Sequence, residues 1–524
     1  MKHFLFFVVA TAVVALASCE SKKTAPGEVG AEEDSLTNVP IEELFLPDTT
    51  YQSVEALTFN TDYMDSLPHT MTSLTDLYDN SDDIRTFRKN LFRNADFKGT
   101  VKGNPTKVEV AWKFMTAEDH KPTKLGTWAG GSGWSGQPLY VHWKPEEVEK
   151  FKQNSPALTA DFNEEEVMVG SLCSNVYFLN FHTGTPSREP ICVDNVLKGT
   201  MSLDPEYMNL YVGQGVPHVQ NFGTLCIDLL KHEFNYIVSS NHGSWRGWNG
   251  FDSSAIVAGG YLFWCGENGT IYKFQREQGK ATIVATFKYK AKGVAPGVES
   301  SLCVYRNYGF FSDNQGNIVC LNLNTMKPVW YYDNHDDSDG SIVCRIEDGK
   351  PYLYAGCEVD KQGAEGEWHF VKLNALDGSL VWEKTKHCKR LMIGKKNFDG
   401  GMYATPLMGS GDCEGMIFTN ICRNGVDKHQ GELVALNIKD GSEIYSTGYS
   451  NWAWSSPIAF YNESGEMFIF TGDSGGNVYL IKGKTGEIIY KEHLANNFES
   501  SPIAVGNAAI VGSRGNGIYK FEIK

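Results

Sequence analysis

Short apolar runs parted by Gly, Asp, Asn and Thr recur from about residue 107 to the end of the chain. Within them apolar positions alternate with polar ones or fill a whole strand length, the pattern of β-structure buried on one or both faces. One window returns at Cys226–Tyr236, Cys320–Trp330, Lys372–Trp382, Ala435–Tyr445 and Leu480–Tyr490, reading strand, tight turn, strand, and closing on a large aromatic. In the last three copies Asp or Thr precedes a turn Gly (Gly378, Gly441, Gly486), as a hairpin needing positive φ requires. Each window follows two further apolar runs, so four strands make a unit. The first strands of the units begin near Gln137, Gly199, Ser253, Ser300, Ser341, Met402, Ser456 and Ser501, a spacing of about 42 to 63 residues. The last unit stops after its third strand. The segment Thr106–Phe114 alternates apolar residues and places Trp112 where the closing aromatic belongs, so it supplies the missing fourth strand. The pattern therefore predicts an all-β propeller over residues 107–524, with about eight four-stranded antiparallel blades, closed by pairing this N-terminal strand with the last blade. An open solenoid is the competing layout.

The region upstream carries no such repeat. Lys2 and His3 precede an apolar run, Phe4 to Leu16, that is too short to span a bilayer and reads as a signal peptide over residues 1–18. It ends in Leu16-Ala17-Ser18-Cys19, which resembles the bacterial lipobox and makes Cys19 the expected lipidation site. An ordinary signal peptide with an incidental cysteine is the plain alternative. Residues 19–60 are acidic and carry Pro26, Pro40 and Pro47, the composition of a flexible tether. Residues 61–106 show only weak helical periodicity around Leu74 to Arg93, and no role follows from it.

Composition narrows the function classes. A formal charge of −16 and a pI near 5.3 disfavour a phosphate-backbone reader, so no nucleic-acid partner is expected. No P-loop, paired-cysteine zinc motif or dinucleotide glycine fingerprint is present. Eleven cysteines follow Cys19, most inside apolar runs and expected as buried thiols; Cys413–Cys422 and Cys344–Cys357 are the candidate disulfides.

The recurring window resembles the tryptophan-docking motif, Ala-x-Asp-x-x-Thr-Gly-x-x-x-Trp, of the pyrroloquinoline-quinone (PQQ) propeller repeats. These build quinoprotein dehydrogenases and the lipoprotein B subunit of the outer-membrane β-barrel assembly machinery. The copies at 226–236 and 320–330 lack the Gly, and Tyr replaces Trp in three of the five. The resemblance implies the fold over about four fifths of the chain and leaves function open. Its enzymes stack PQQ between a tryptophan and a vicinal Cys-Cys disulfide, beside calcium and an aspartate base. This sequence has no Cys-Cys pair and no Cys-x-x-Cys-His haem site, so PQQ and dehydrogenase activity are not expected. No catalytic residues are assigned, since no Gly-x-Ser-x-Gly elbow appears either.

Candidate chemistry gathers in the loops that join one blade to the next, all expected on one face. They offer a ligand- or partner-binding rim of Trp134, Trp245, Arg246, Trp248, Trp452, Trp454 and Phe498. An acidic residue recurs at the mouth of several first strands: Asp252, Glu299, Asp339, Asp399 and Glu499. Two readings stand. The carboxylates hold a cation, Ca²⁺ being the natural candidate for oxygen ligands, or each one bonds the backbone N–H groups of its own turn. Asp333 to Asp339 looks like a calcium loop out of register, with His335 at the first ligand position. The whole reads as a non-catalytic, monomeric scaffold for an envelope protein partner, with a role in outer-membrane protein assembly implied by the resemblance and cation, small-ligand or glycan binding at the funnel as the alternative. Its lipid would hold it to the outer membrane, on the periplasmic side because Glu20-Ser-Lys-Lys follows Cys19.

Overall fold

The computed structural model describes Phe45 and residues 54–79, 82–97, 99–123, 126–134, 136–216, 222–239, 242–248, 250–393 and 396–524. Cys19, the signal peptide and most of the tether lie outside the described residues. Eight sheets of four or more strands follow one another along the chain as the blades of a propeller, antiparallel throughout except where the short strand Gly99–Thr100 joins one edge in parallel. Their first strands are Leu139–His142, Ser202–Leu203, Ile256–Ala258, Cys303–Tyr305, Val343–Glu347, Leu407–Met408, Ile458–Tyr461 and Ile503–Val505. They open blades 1 to 8 in that order.

The closing aromatic of each window explains why the motif repeats. Trp330 at the end of blade 4 donates from Nε1 to Ala375 O in blade 5, at 3.0 Å, and Trp382 of blade 5 donates to Ile438 O in blade 6, at 2.9 Å. Each indole lies flat on the turn of the next blade. Gly441 holds φ +71°, and a Cβ there would stand 2.7 Å from the Trp382 ring. The turn Gly thus answers two demands, left-handed backbone and close approach. Val108–Met115 pairs antiparallel with Gly517–Ile523 as the fourth strand of blade 8, and Trp112 Nε1 reaches Phe181 O of blade 1 at 2.9 Å. The same indole-to-carbonyl joint therefore links last blade to first.

A second circuit runs nearer the axis. Backbone N–H groups donate to a hydroxyl of the following blade: Ser254 to Ser301, Ser301 to Ser341, Ser341 to Thr405, Thr405 to Ser456 and Ser456 to Ser501, at 2.8–3.3 Å. Ser501 N continues to Gly136 O at 3.0 Å, and Gln137 N to Thr200 Oγ1 at 2.8 Å. Each of these residues lies two positions before its blade's first strand, which fixes a common register for the funnel.

The N-terminal segment does not form the helix suggested around Leu74 to Arg93. The strand Leu57–Tyr63 adds to the outer edge of blade 3, so order begins before residue 61. Residues 82–97 then fill the central channel. Ile84 exchanges backbone bonds with Tyr140 of blade 1; Arg85 O accepts from Leu203 N, Leu91 O from Val304 N and Phe92 O from Cys344 N. Two buried arginines complete the hub. Arg88 donates to Pro406 O and Pro457 O of blades 6 and 7, at 3.0 and 3.1 Å. Arg93 donates to Ser254 O, Leu302 O and Phe87 O, and to Thr86 Oγ1. Thr100 N bonds Gly506 O of blade 8. A channel lined by strand-end carbonyls needs donors, and guanidinium groups supply several each. The eleven cysteines after Cys19 form no disulfide among the described residues, ten being buried and Cys192 exposed, so neither candidate disulfide is present. The α-helix Pro145–Asn154 is an insertion in blade 1.

Candidate functional site

The hydroxyl circuit defines which residues face one another at the funnel mouth. Two positions before each of its members stand Lys198, Asp252, Glu299, Asp339, Tyr403, Trp454 and Glu499, for blades 2 to 8. Four of the five acidic positions expected from sequence are therefore brought into one ring. Asp399 is not. The blade 5–6 connector carries an extra hairpin, Leu391–Ile393 with Lys396–Phe398, and the ring position falls to Tyr403. Asp399 instead pairs with Arg390 beside that hairpin. Glu499 is neutralised locally: Arg514 lies 3.1 Å away, Asn497 Nδ2 donates at 2.6 Å, and Trp134 N donates at 3.4 Å.

Blades 3 to 5 are different. Turns from their second strands add Glu267 and Glu358 behind the ring, and the blade 4–5 connector adds Asp337. Asp252, Glu267 and Glu299 each bring an oxygen within 4.8 Å of the other two, and Asp337, Asp339 and Glu358 do the same. These six carboxylates meet three cationic side chains. Lys198 pairs with Asp252, Arg246 stands 3.8 Å from Glu267, and Lys361 2.9 Å from Asp337. Trp248 Nε1 donates to Glu267 Oε2 at 2.6 Å. Glu299 Oε2 is shut off from solvent without a hydrogen-bond partner among the described residues.

Desolvation and like charge act together here. Burial, opposed by Lys198 and reinforced by Glu299, raises Asp252 to about 7. Burial and the neighbouring Glu267 raise Glu299 to about 8. Burial lifts Asp337 to about 6, and burial with adjacent carboxylates carries Asp339 and Glu358 well above the usual carboxylate range. The carboxylates are thus poised to gain a proton or a cation. Asp252, Glu299 and Asp339 line a small cleft beside Phe87 of the central segment, bordered by Thr200, Ser301 and Ser341.

The aromatic rim is divided. Trp134 stacks over Lys198, with Nζ 4.7 Å from the ring centroid, and meets Trp454 edge-on at 6.1 Å. Trp454 also packs on Tyr403 at 5.1 Å, and Trp452 stacks on Phe398 at 4.2 Å. Trp245 stands outside, between Lys288 and Lys290. Phe498 belongs to the core: it is fully buried against Tyr519 and Phe521. Sequence reasoning missed Lys198, Glu267, Asp337 and Glu358. Lys198-Gly-Thr200 in fact stands in the register of Asp252-Ser-Ser254, and Cys265-Gly-Glu267 in that of Gly356-Cys-Glu358.

No family profile matches the chain, and no curated protein sequence resembles it. Solved structures do. A europium-containing methanol dehydrogenase superposes with a TM-score of 0.58 at 11% identity, over 85% of this chain and 99% of its own. The quinohemoprotein alcohol dehydrogenase of Comamonas testosteroni gives 0.57 at 12% identity, over 84% and 80%. BamB of Moraxella catarrhalis gives 0.46 at 13%, over 80% and 98%. The two dehydrogenase likenesses establish the quinoprotein-type eight-bladed propeller and, at this identity, the fold alone.

Proposed function

We propose that this chain is a binding propeller whose funnel mouth takes a hard, oxygen-seeking cation such as Ca²⁺. One observation carries the reading: six carboxylates from three consecutive blades face three cationic side chains among the described residues. The second sequence reading, in which each acid caps its own turn, accounts poorly for Asp252, held by Lys198 of the preceding blade, and for the unbonded Glu299 oxygen. An all-oxygen donor set suits Ca²⁺ or a trivalent ion of similar size. The quinone of the superposed dehydrogenases does not fit. No two cysteines are adjacent in the chain, so the vicinal disulfide on which that cofactor stacks has no counterpart.

Terbium luminescence tests this directly, because Trp248 bonds Glu267 and can sensitise an ion beside it. Tb³⁺ should light up on excitation of tryptophan, and Ca²⁺ should quench the signal by competition. The Glu299→Gln, Asp339→Asn variant should lose it. Luminescence unchanged in that variant removes the proposal.

A protein-scaffold role is supported by a separate observation. The connector loops of the funnel face carry Val294, Met392 and Ile393 at 48%, 74% and 52% exposure, apolar side chains with nothing over them among the described residues. Together with the lipobox-like Leu-Ala-Ser-Cys19, this favours a tethered propeller presenting that face to an envelope protein. Affinity capture from detergent-extracted membranes should recover a partner that Met392→Asp with Ile393→Asp releases. A Cys19→Ala change should free the protein from the membrane fraction.

A further inference from the structure

The connector between blades 4 and 5 turns Asp337 and Asp339 into the funnel and sends one side chain the other way. His335 takes φ +73°, which swings its imidazole onto the face of blade 5. There it stacks on His369, with ring centroids 4.0 Å apart and planes 35° from parallel. Glu383 completes the group: its Oε1 lies 2.6 Å from His369 Nδ1 and 3.6 Å from His335 Nε2. His369 and Glu383 sit on paired strands, Glu365–Asn374 and Leu380–Lys389, where Val371 faces Glu383. They are therefore diagonal neighbours on one surface of the sheet. The strands fix two of the donors and the connector delivers the third.

We infer that His335, His369 and Glu383 form a site for a late first-row divalent metal, with Zn²⁺, Ni²⁺ and Cu²⁺ as the class. One donor atom from each residue lies within 4.8 Å of the other two. Metal bonds of about 2.0–2.2 Å place donors roughly 3.0–3.5 Å apart in tetrahedral or octahedral geometry, so the 3.6 Å His335–Glu383 separation is already close to a coordination edge. A plain His–carboxylate pair accounts for His369 with Glu383 but not for a second imidazole brought against them from another blade's connector. The side chains are 47%, 17% and 30% exposed, so a metal can reach them and an open coordination position faces water. Imidazole donors distinguish this site from the all-carboxylate funnel, which favours hard ions. The site is independent of the funnel proposal, although a metal here would fasten the connector that carries Asp337 and Asp339.

The test uses untagged, chelator-stripped protein in a Cys192→Ser background, because Cys192 is the exposed thiol. Co²⁺ and Cu²⁺ are the probes. One equivalent of Co²⁺ should give ligand-field bands without sulfur charge transfer, Cu²⁺ should show nitrogen superhyperfine structure from two imidazoles, and excess Ca²⁺ should displace neither. His335→Asn, which keeps a residue tolerant of left-handed backbone, and His369→Gln should each weaken binding by at least about tenfold. Thermal melts of the metal-free variants report that the fold is retained. If stripped wild-type protein binds no Co²⁺, or binds it equally well in both variants, the site does not exist.

Discussion

Glu299→Gln separates a strained acidic cluster from an ordinary one. The substitution keeps the shape of the side chain and removes a carboxyl whose ordinary value of 4.5 is raised to about 8 by burial and by Glu267. A carboxyl raised on folding favours the native state fully below about 4.5, and that contribution disappears as pH climbs through about 8. At about 1.4 kcal/mol per pH unit the full displacement corresponds to about 5 kcal/mol, and solvent reaching the half-buried side chain from the funnel lowers this to about 2 kcal/mol. With chelator present, wild type and variant should unfold at the same guanidinium midpoint near pH 5. The variant should then be the more stable by about 2 kcal/mol at pH 9. Adding Ca²⁺ at pH 9 should restore wild type and move the variant much less, since bound ligand stabilises in proportion to its occupancy of the native state. Two denaturation profiles that run parallel from pH 5 to pH 9 would refute the argument, because Glu299 would then ionise as freely in the folded protein as in the unfolded chain.

Other parts of the structure are open to equally direct tests. Arg93→Met leaves four acceptors without their buried donor and should cost about 3 kcal/mol or more, read as a lowered denaturation midpoint; an unchanged midpoint would show that the hub segment does not hold the blades. Trp382→Ala should cost about 3–5 kcal/mol and Gly441→Ala about 1–3 kcal/mol. In the double variant the overlap of Cβ with the indole is gone, so the costs should fall short of additive by at least about 1 kcal/mol, and strict additivity would refute the docking account. Lys198→Met removes the cation paired with Asp252, so Tb³⁺ should bind severalfold more tightly; weaker binding would mean that Lys198 orients the site and does not compete with the ion.

The propeller was legible because its repeat is a physical necessity. Each blade needs a hairpin turn and an aromatic to lie on its neighbour, so the same spacing returns wherever the joint is built. The fourth strand of blade 8 was legible for the same reason, through Trp112. The register of the funnel was less so. Gln137, Ser341, Ser456 and Ser501 coincide with the hydroxyl circuit, but Gly199, Ser253 and Ser300 fall one residue early and Met402 three early. The blade 6 error follows from the inserted hairpin, and it misplaced Asp399. Residues 82–97 gave only a weak helical periodicity that the structure does not follow. They form no sheet of their own, and nothing in the sequence marks Arg85, Arg88, Lys89 and Arg93 as interior, where the carbonyl-lined channel places them. Phe498 failed in the opposite sense: a connector aromatic counted with the rim lies in the core between blades 7 and 8.

The hub and the strand Gly99–Thr100 after it precede every blade in the chain, yet their partners extend to Pro457 and Gly506. During synthesis, which runs from the N-terminus, the hub and the strand around Trp112 must wait until the last blades have emerged before all their native contacts exist. Such late, long-range pairing makes assembly slow and leaves a partly built ring with open sheet edges prone to sticking. A protein organised this way should depend on a holding chaperone while it is made, and once complete it should resist proteolysis at both termini of the ring together.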